Sequence, residues 1–370
     1  MSFDEQVVRP SKDLAELYAK FVCVRVTDMR GVDLSRFVFD FDLTFAALMM
    51  NADGRIYHRY GSRDHRSSEV WLSEPSLEFV LRESLKAHAT VDDAAAKRQR
   101  PSFELATAQK GKPVLMEKIP SYQKRDKGKC IHCHSVHPAF YEEAVAAKKW
   151  RPGNKWVYPD PARIGIDLDG DQQRLIVRVD AGSPAAKAGL KRGDQILRLN
   201  DVAIASVADL MFALDGLPSK GGDVELQILR EEKSQSISMT LADGWKVGTP
   251  QTFAWRPFKW GLTPAPGFGG PKLNAAELRQ IGRDPSSASS FAFRIQYLVT
   301  WGDNRRFGQA AAKAGLRVGD VVLSLDGKSD FDSVEHFHAW WRLTRKVGDV
   351  VKIEILRGGQ KRALKLEVVK

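Results

Sequence analysis

The sequence predicts a mixed α/β and mostly-β multidomain chain, and three observations predict it. At 370 residues the chain exceeds one ordinary domain, and two or three of roughly 100–150 residues are expected. Its C-terminal part repeats itself: Ala-Ala-Lys-Ala-Gly-Leu occurs at 185–190 and again at 311–316, each time followed by Gly-Asp three residues on. Its first ninety residues read as helix, strands, hairpin and helix. The boundaries implied are 1–93, 94–158, 159–243 and 244–370.

Taken in order, residues 11–19 form a helix with Leu14, Leu17 and Tyr18 on one face. Residues 21–26 (Phe-Val-Cys-Val-Arg-Val) read as a buried β-branched strand, which makes Cys23 a small core residue. Residues 44–50 are a second strand, Asn51-Ala-Asp-Gly54 a tight turn, and 55–60 the returning strand. An amphipathic helix over 77–87 closes the segment.

The stretch Leu43-Thr-Phe, followed by Asn51-Ala-Asp-Gly-Arg-Ile-Tyr-His-Arg-Tyr-Gly61, resembles the later two-thirds of a thioredoxin fold. The family's opening strand and its C-x-x-C helix are absent, and Leu43 stands where the family has its cis-proline. The resemblance therefore implies a truncated thioredoxin-like scaffold without thiol–disulfide catalysis. It also carries the expectation that residues with an export leader precede Met1 in the natural protein.

Residues 94–129 are polar and basic, with a helix-like piece at 102–109. The densest basic run comprises Lys97, Arg98, Arg100, Lys110, Lys112, Lys124, Arg125, Lys127 and Lys129. It reads as a solvated linker or as a docking face for an acidic redox partner. Residues 127–137 then hold two of the three cysteines and three of the eight histidines. Cys130-Ile-His-Cys133-His134 resembles the C-x-x-C-H attachment signature of c-type cytochromes. The resemblance implies haem c on Cys130 and Cys133, with His134 as proximal iron ligand. His58, His65, His88 and Met116, and less readily His137, are distal candidates, and Trp150, Trp156 and Tyr158 are aromatic cover. Three other readings stay open: a Cys130–Cys133 disulfide, Zn or Cu held by Cys130, Cys133 and a choice of His132, His134 and His137, or inert thiols. A helix follows over 137–149, with proline in its first turn.

The repeated block reads Ser183-Pro-Ala-Ala-Lys-Ala-Gly-Leu-Lys-Arg-Gly-Asp-Gln-Ile-Leu-Arg-Leu-Asn-Asp201 in its first copy. Each copy continues into a helix (207–214, 334–341) and a strand (223–230, 349–357). The block closely resembles bacterial PDZ domains of the kind appended to periplasmic proteases. That resemblance implies peptide binding by strand addition, with backbone amides holding a C-terminal carboxylate. It assigns Ile164, Gly165 and Ile166 to the carboxylate loop and Leu210 and Leu214 to the groove wall. The second copy shows no clear loop in its sequence. There, residues 291–295 are expected as the first strand, after an insertion rich in Trp, Pro and Gly (245–271). His336 and His338 lie on its groove helix, either as recognisers of a peptide hydroxyl or carboxylate or as exposed residues.

The net charge of +11 is spread among acids and accompanies no nucleic-acid motif. No G-x-S-x-G or ordered Ser-His-Asp set occurs, so proteolysis is not expected. No signal peptide or membrane-spanning run is present. Two functions remain: an exported, periplasmic haem-c protein for electron transfer or redox sensing that docks partner chains, and a non-redox, protease-associated PDZ adaptor with a Zn/Cu site or disulfide at Cys130–Cys133, which would be cytoplasmic if no haem is attached.

Overall fold

The computed structural model describes residues 10–43, 45–90, 113–123, 130–302 and 304–370. They fall into two units, Met1–Gly248 and Thr249–Lys370. In the first, helix α1 (Lys12–Tyr18) starts at Ser11, whose hydroxyl accepts from Leu14 N. Strands β1 (Ala47–Met50) and β2 (Ile56–Tyr60) pair antiparallel. The turn between them closes where the Asn51 side chain accepts from Arg55 N. Helix α2 (Glu74–Ala89) is capped by Ser73. Leu14 and Leu17 of α1, Met49 and Tyr60 of the hairpin, and Leu77 and Val80 of α2 share one buried cluster.

Residues 21–26 depart from expectation. They form no strand, and Val22, Val24 and Val26 are 94%, 79% and 60% exposed. Cys23 is likewise exposed, not a core residue. The reason is a missing neighbour: among the described residues this layer has only the two-stranded β1–β2 sheet. A β-branched run favours a strand only where an edge accepts it.

The helices α3 (Pro120–Gln123) and α4 (Val136–Ala146) enclose a second small core with Met29, Phe41, Met116, Ile131, Val136 and Phe140. The expected helix at 102–109 and the basic run from Lys97 to Lys129 lie outside the described residues.

The first repeat comprises β3 (Ile166–Leu168), β4 (Ile176–Val179), α5 (Pro184–Lys187), β5 (Gln195–Leu199), β6 (Val202–Ala203), α6 (Val207–Asp215), β7 (Gly222–Arg230) and β8 (Lys233–Leu241). Its four-stranded antiparallel sheet runs β6-β5-β7-β8, beside a separate β3–β4 ribbon. The second unit holds α7 (Pro250–Phe253), β9 (Phe268–Gly269), α8 (Ala275–Gln280), β10 (Phe293–Arg294), β11 (Tyr297–Leu298), α9 (Arg305–Lys313), β12 (Val321–Leu325), α10 (Val334–Thr344), β13 (Val350–Arg357) and β14 (Gln360–Glu367). Here the sheet is β10-β12-β13-β14 and the ribbon is β9–β11.

The same electrostatic lock recurs in both copies. Asp194, 1% exposed, accepts two bonds from Arg230 at 2.7 Å and one from Lys191 N at 2.8 Å. Asp320, 2% exposed, accepts from Arg357 at 2.6 and 2.7 Å and from Arg317 N at 2.8 Å. Each arginine also donates to the carbonyl of the repeated glycine, Gly189 or Gly315. The Asp of Gly-Asp thus ties the turn to the long β-hairpin, and its charge is matched at the edge of the core. Removing the arginine leaves a buried carboxylate without its partner. Arg357→Ala is expected to lower unfolding free energy by about 2–3 kcal/mol, read by urea titration of far-UV circular dichroism. A change below about 0.5 kcal/mol, the range of neutral surface substitutions, would contradict this role.

Candidate functional site

Two grooves and one cysteine-bearing turn were singled out by the sequence. In the first repeat, Gly165 has φ +84°, and a side chain there would run into Ser183, the cap of α5. Glycine is therefore required at the head of β3. The amides of Ile164 and Gly165, two of the three expected carboxylate donors, are already spent on Pro161 O and Ala162 O (both 3.1 Å). Ile164, Ile166, Leu210 and Leu214 are all at most 1% exposed and share one cluster with Trp71 from the first layer.

Helix α6 is held from its other side as well. Asp209, fully buried, accepts from Arg59 N at 2.8 Å, Ala205 N at 3.1 Å and His58 Nδ1 at 2.9 Å. Ser206 Oγ donates to Arg59 O, and the Arg59 guanidinium lies 3.4 Å from the centre of the Phe212 ring. Further along, Gln173 Nε2 donates to Trp71 O (2.7 Å), and Arg66 reaches Asp167 of β3 (3.4 Å). The groove-wall residues are thus interior residues of the unit.

The second repeat does possess the loop that its sequence concealed. Gly267, φ +81°, precedes Phe268 as Gly165 precedes Ile166, and a side chain on it would strike the Phe307 backbone of α9. The first strand is β9, not residues 291–295. Ile295 instead exchanges backbone bonds with Gly319 and Asp320, as Ile176 does with Gly193 and Asp194. Residues 272–292 separate the loop from its ribbon partner, which is why spacing hid it. Pro264 and Pro266 have no N–H with which to fold the turn seen at Pro161–Arg163. Among the described residues, the Gly267 amide donates to no group, while its carbonyl accepts from Val299 N. Phe268 packs against Phe337 and Trp341 of α10 (ring centres 5.7 and 6.3 Å apart). His336 and His338 are 8% and 3% exposed, so the reading of them as exposed helix residues is corrected. They are covered because α10 packs against α7 and the 257–261 turn as well as its own core.

On the cysteine-bearing turn, Cys130, His132 and His134 are exposed and Cys133 is partly buried. All three cysteines are free thiols. The Cys133 thiol donates to Leu43 O (3.2 Å), and burial pushes its pKa up. His132 and His134 stack at 5.3 Å, and desolvation followed by the neighbouring His132 lowers the pKa of His134. His137 turns away from this group into the interior, where it faces Asp40 at 3.4 Å. Its ligand atom lies within 4.8 Å of those of buried Asp40 and Asp42, neither of which the sequence reading included. The structure therefore does not gather Cys130, Cys133, His132 and His137 into one set. Of the distal candidates, His58 is engaged by Asp209 and His88 by the Tyr57 hydroxyl (2.9 Å). His65 is exposed, and Met116 lies in the cluster that Ile131 and Cys133 join.

A family model described as "PDZ domain" matches residues 162–241 and 304–368. These two segments are PDZ domains. The curated "Probable periplasmic serine endoprotease DegP-like" of Halomonas elongata is 28% identical over 203 residues, covering 52% of this chain and 36% of that protein. Its namesake from Marinomonas sp. is 31% identical over 161 residues, 44% of this chain and 30% of that one. "Periplasmic pH-dependent serine endoprotease DegQ" of Escherichia coli is 25% identical over 195 residues, 53% and 36% respectively. The chain spans about a third of the length of these curated relatives. Among solved structures, "HtrA-type protease AlgW with decapeptide" is 18% identical, with TM-score 0.25, over 53% of this chain and 54% of that one. No helix among the described residues is long and apolar enough to cross a membrane.

Sequence reasoning placed both PDZ domains and missed three things about them: Asp209 as an anchor, Trp71 as a core residue of the first, and Gly267 as the loop glycine of the second. The last left a signal, a glycine followed by an apolar residue after paired prolines. The first two left none, because they depend on which surfaces meet.

Proposed function

We propose that this protein is an exported PDZ adaptor in which the second domain receives the C-terminus of a partner polypeptide. The first PDZ domain and the thioredoxin-like layer then serve as its scaffold. One observation carries the reading. The loop amides of Ile164 and Gly165 are consumed inside the first domain, whereas the Gly267 amide of the second has no partner among the described residues. A carboxylate at that loop would accept from Gly267 N. The rest of the peptide would extend along the outer edge of β9, which in this ribbon pairs only with β11. The periplasmic relatives favour an exported location.

The expected outcome is that the full chain binds hexapeptides with free C-termini at least about tenfold more tightly than the same peptides amidated, by fluorescence anisotropy. Binding of neither form would overturn the adaptor reading, and equal binding of both would overturn the carboxylate loop.

A second proposal concerns the cofactor. Cys130 and His134 are both exposed on one turn, with the partly buried Cys133 between them. Cys130 and Cys133 would hold a haem c covalently, His134 would ligate its iron, and the group would supply one-electron chemistry. The chain's own contribution is to fix this turn through Ile131 and Val136, which are buried on either side of it. Protein made in a host competent for haem attachment is expected to show the c-type α-band of the reduced pyridine adduct after denaturation. A colourless protein from that host would contradict it.

A further inference from the structure

The second PDZ domain contains a group of buried hydrogen-bond donors with nothing to accept from them. On α10, His338, Trp341 and Arg342 lie one turn apart and share a face. His338 and Trp341 are 3% and 1% exposed, and Arg342 is partly buried. An Arg342 guanidinium nitrogen lies 3.0 Å from His338 Nδ1. A guanidinium can only donate, so Nδ1 accepts and the neutral ring carries its hydrogen on Nε2. Burial, then Arg342 and Lys259, hold this imidazole well below its ordinary pKa, consistent with a neutral ring. His338 Nε2, Trp341 Nε1 and Arg342 Nε are all buried without a hydrogen-bond partner. Arg342 has no carboxylate partner among the described residues. Burial lowers its pKa to about 10, with Tyr297 opposing. Leaving one such donor unmet is costly, and the neighbouring pair His338 and Arg342 points to a ligand.

His338 Nε2 faces β9. A methyl group added to Gly269 of β9 would lie 2.5 Å from the Tyr297 hydroxyl and 3.1 Å from His338 Nε2. The bare glycine therefore lets β9 come close to α10, with the Tyr297 hydroxyl and His338 Nε2 both beside it. Trp260 covers the place from the solvent side. Its ring is 4.7 Å from His338 and 5.1 Å from the Arg342 guanidinium, yet it is itself 45% exposed.

We propose that His338 Nε2 and Arg342, with the Tyr297 hydroxyl, form a subsite for the side-chain carboxylate of an acidic residue in the peptide bound by the second PDZ domain. The charges felt at His338 are those of Arg342 and Lys259, both cations, and donors without acceptors select an anion over an amide. This inference rests on the adaptor reading above and deepens it.

The test uses the full chain and a positional library of free-carboxylate hexapeptides in which each position in turn is Glu or Gln. At one position the Glu peptide is expected to bind about tenfold more tightly than its Gln isostere. Arg342→Met is expected to abolish that preference. The comparison in the unsubstituted protein needs no variant to fold. Equal affinity for every Glu/Gln pair would overturn the acidic subsite while leaving peptide binding intact. A library that does not bind at all would overturn the adaptor reading and the subsite with it. Displacement of the Glu preference by millimolar sulfate would support an anion site in the groove. Sulfate binding that depends on Arg342 without any effect on peptide would overturn the proposed ligand.

Discussion

The Asp209 carboxylate is the constraint on which the first unit depends. It lies in the helix that would normally wall a peptide groove, has no exposed surface, and accepts from the backbone of Arg59, the backbone of Ala205 and the ring of His58. A buried charge of this kind is tolerable only when its lone pairs are met. Meeting them requires β2 to lie against α6 in one register. Once it does, Arg59 covers Phe212, Trp71 enters the core beside Leu210 and Leu214, and the first PDZ domain becomes part of a larger packed body.

The two PDZ domains show how one plan can diverge through its surroundings. Both keep the Asp–Arg lock beneath the Gly-Asp turn and a left-handed glycine at the loop. They differ in what precedes that loop. Pro161–Arg163 winds a turn that consumes the next two amides, while Pro264 and Pro266 lack the N–H groups to build its equivalent. They differ again in what covers the groove helix: polar anchors from β2 in the first, and the Trp-bearing 257–261 turn in the second. Duplication supplied two groove helices, and preceding segments of the chain cover both.

Legibility in the sequence followed the range of the interaction. Helices α1 and α2, the hairpin turn at Asn51 and the repeated Gly-Asp turn are local, and each left a pattern of residue types, whereas the arginine that locks each Gly-Asp turn stands more than thirty residues away. The exposed course of Val22, Val24 and Val26 was not legible, because a β-branched run signals preference and not the presence of an edge. His338 was read as exposed for the same reason, since its burial comes from a segment more than seventy residues earlier. The cysteine-bearing turn was picked out by its spacing, while the withdrawal of His137 towards Asp40 and Asp42 depended on a packing that no spacing revealed.

The central claim is that the second groove, and not the first, is the working one. Hydrogen exchange of the full chain, with and without a saturating free-carboxylate peptide, tests it most directly. New protection is expected only at residues 267–270 and 334–344. Protection at 164–168 and 207–215, with the second domain unchanged, would contradict it.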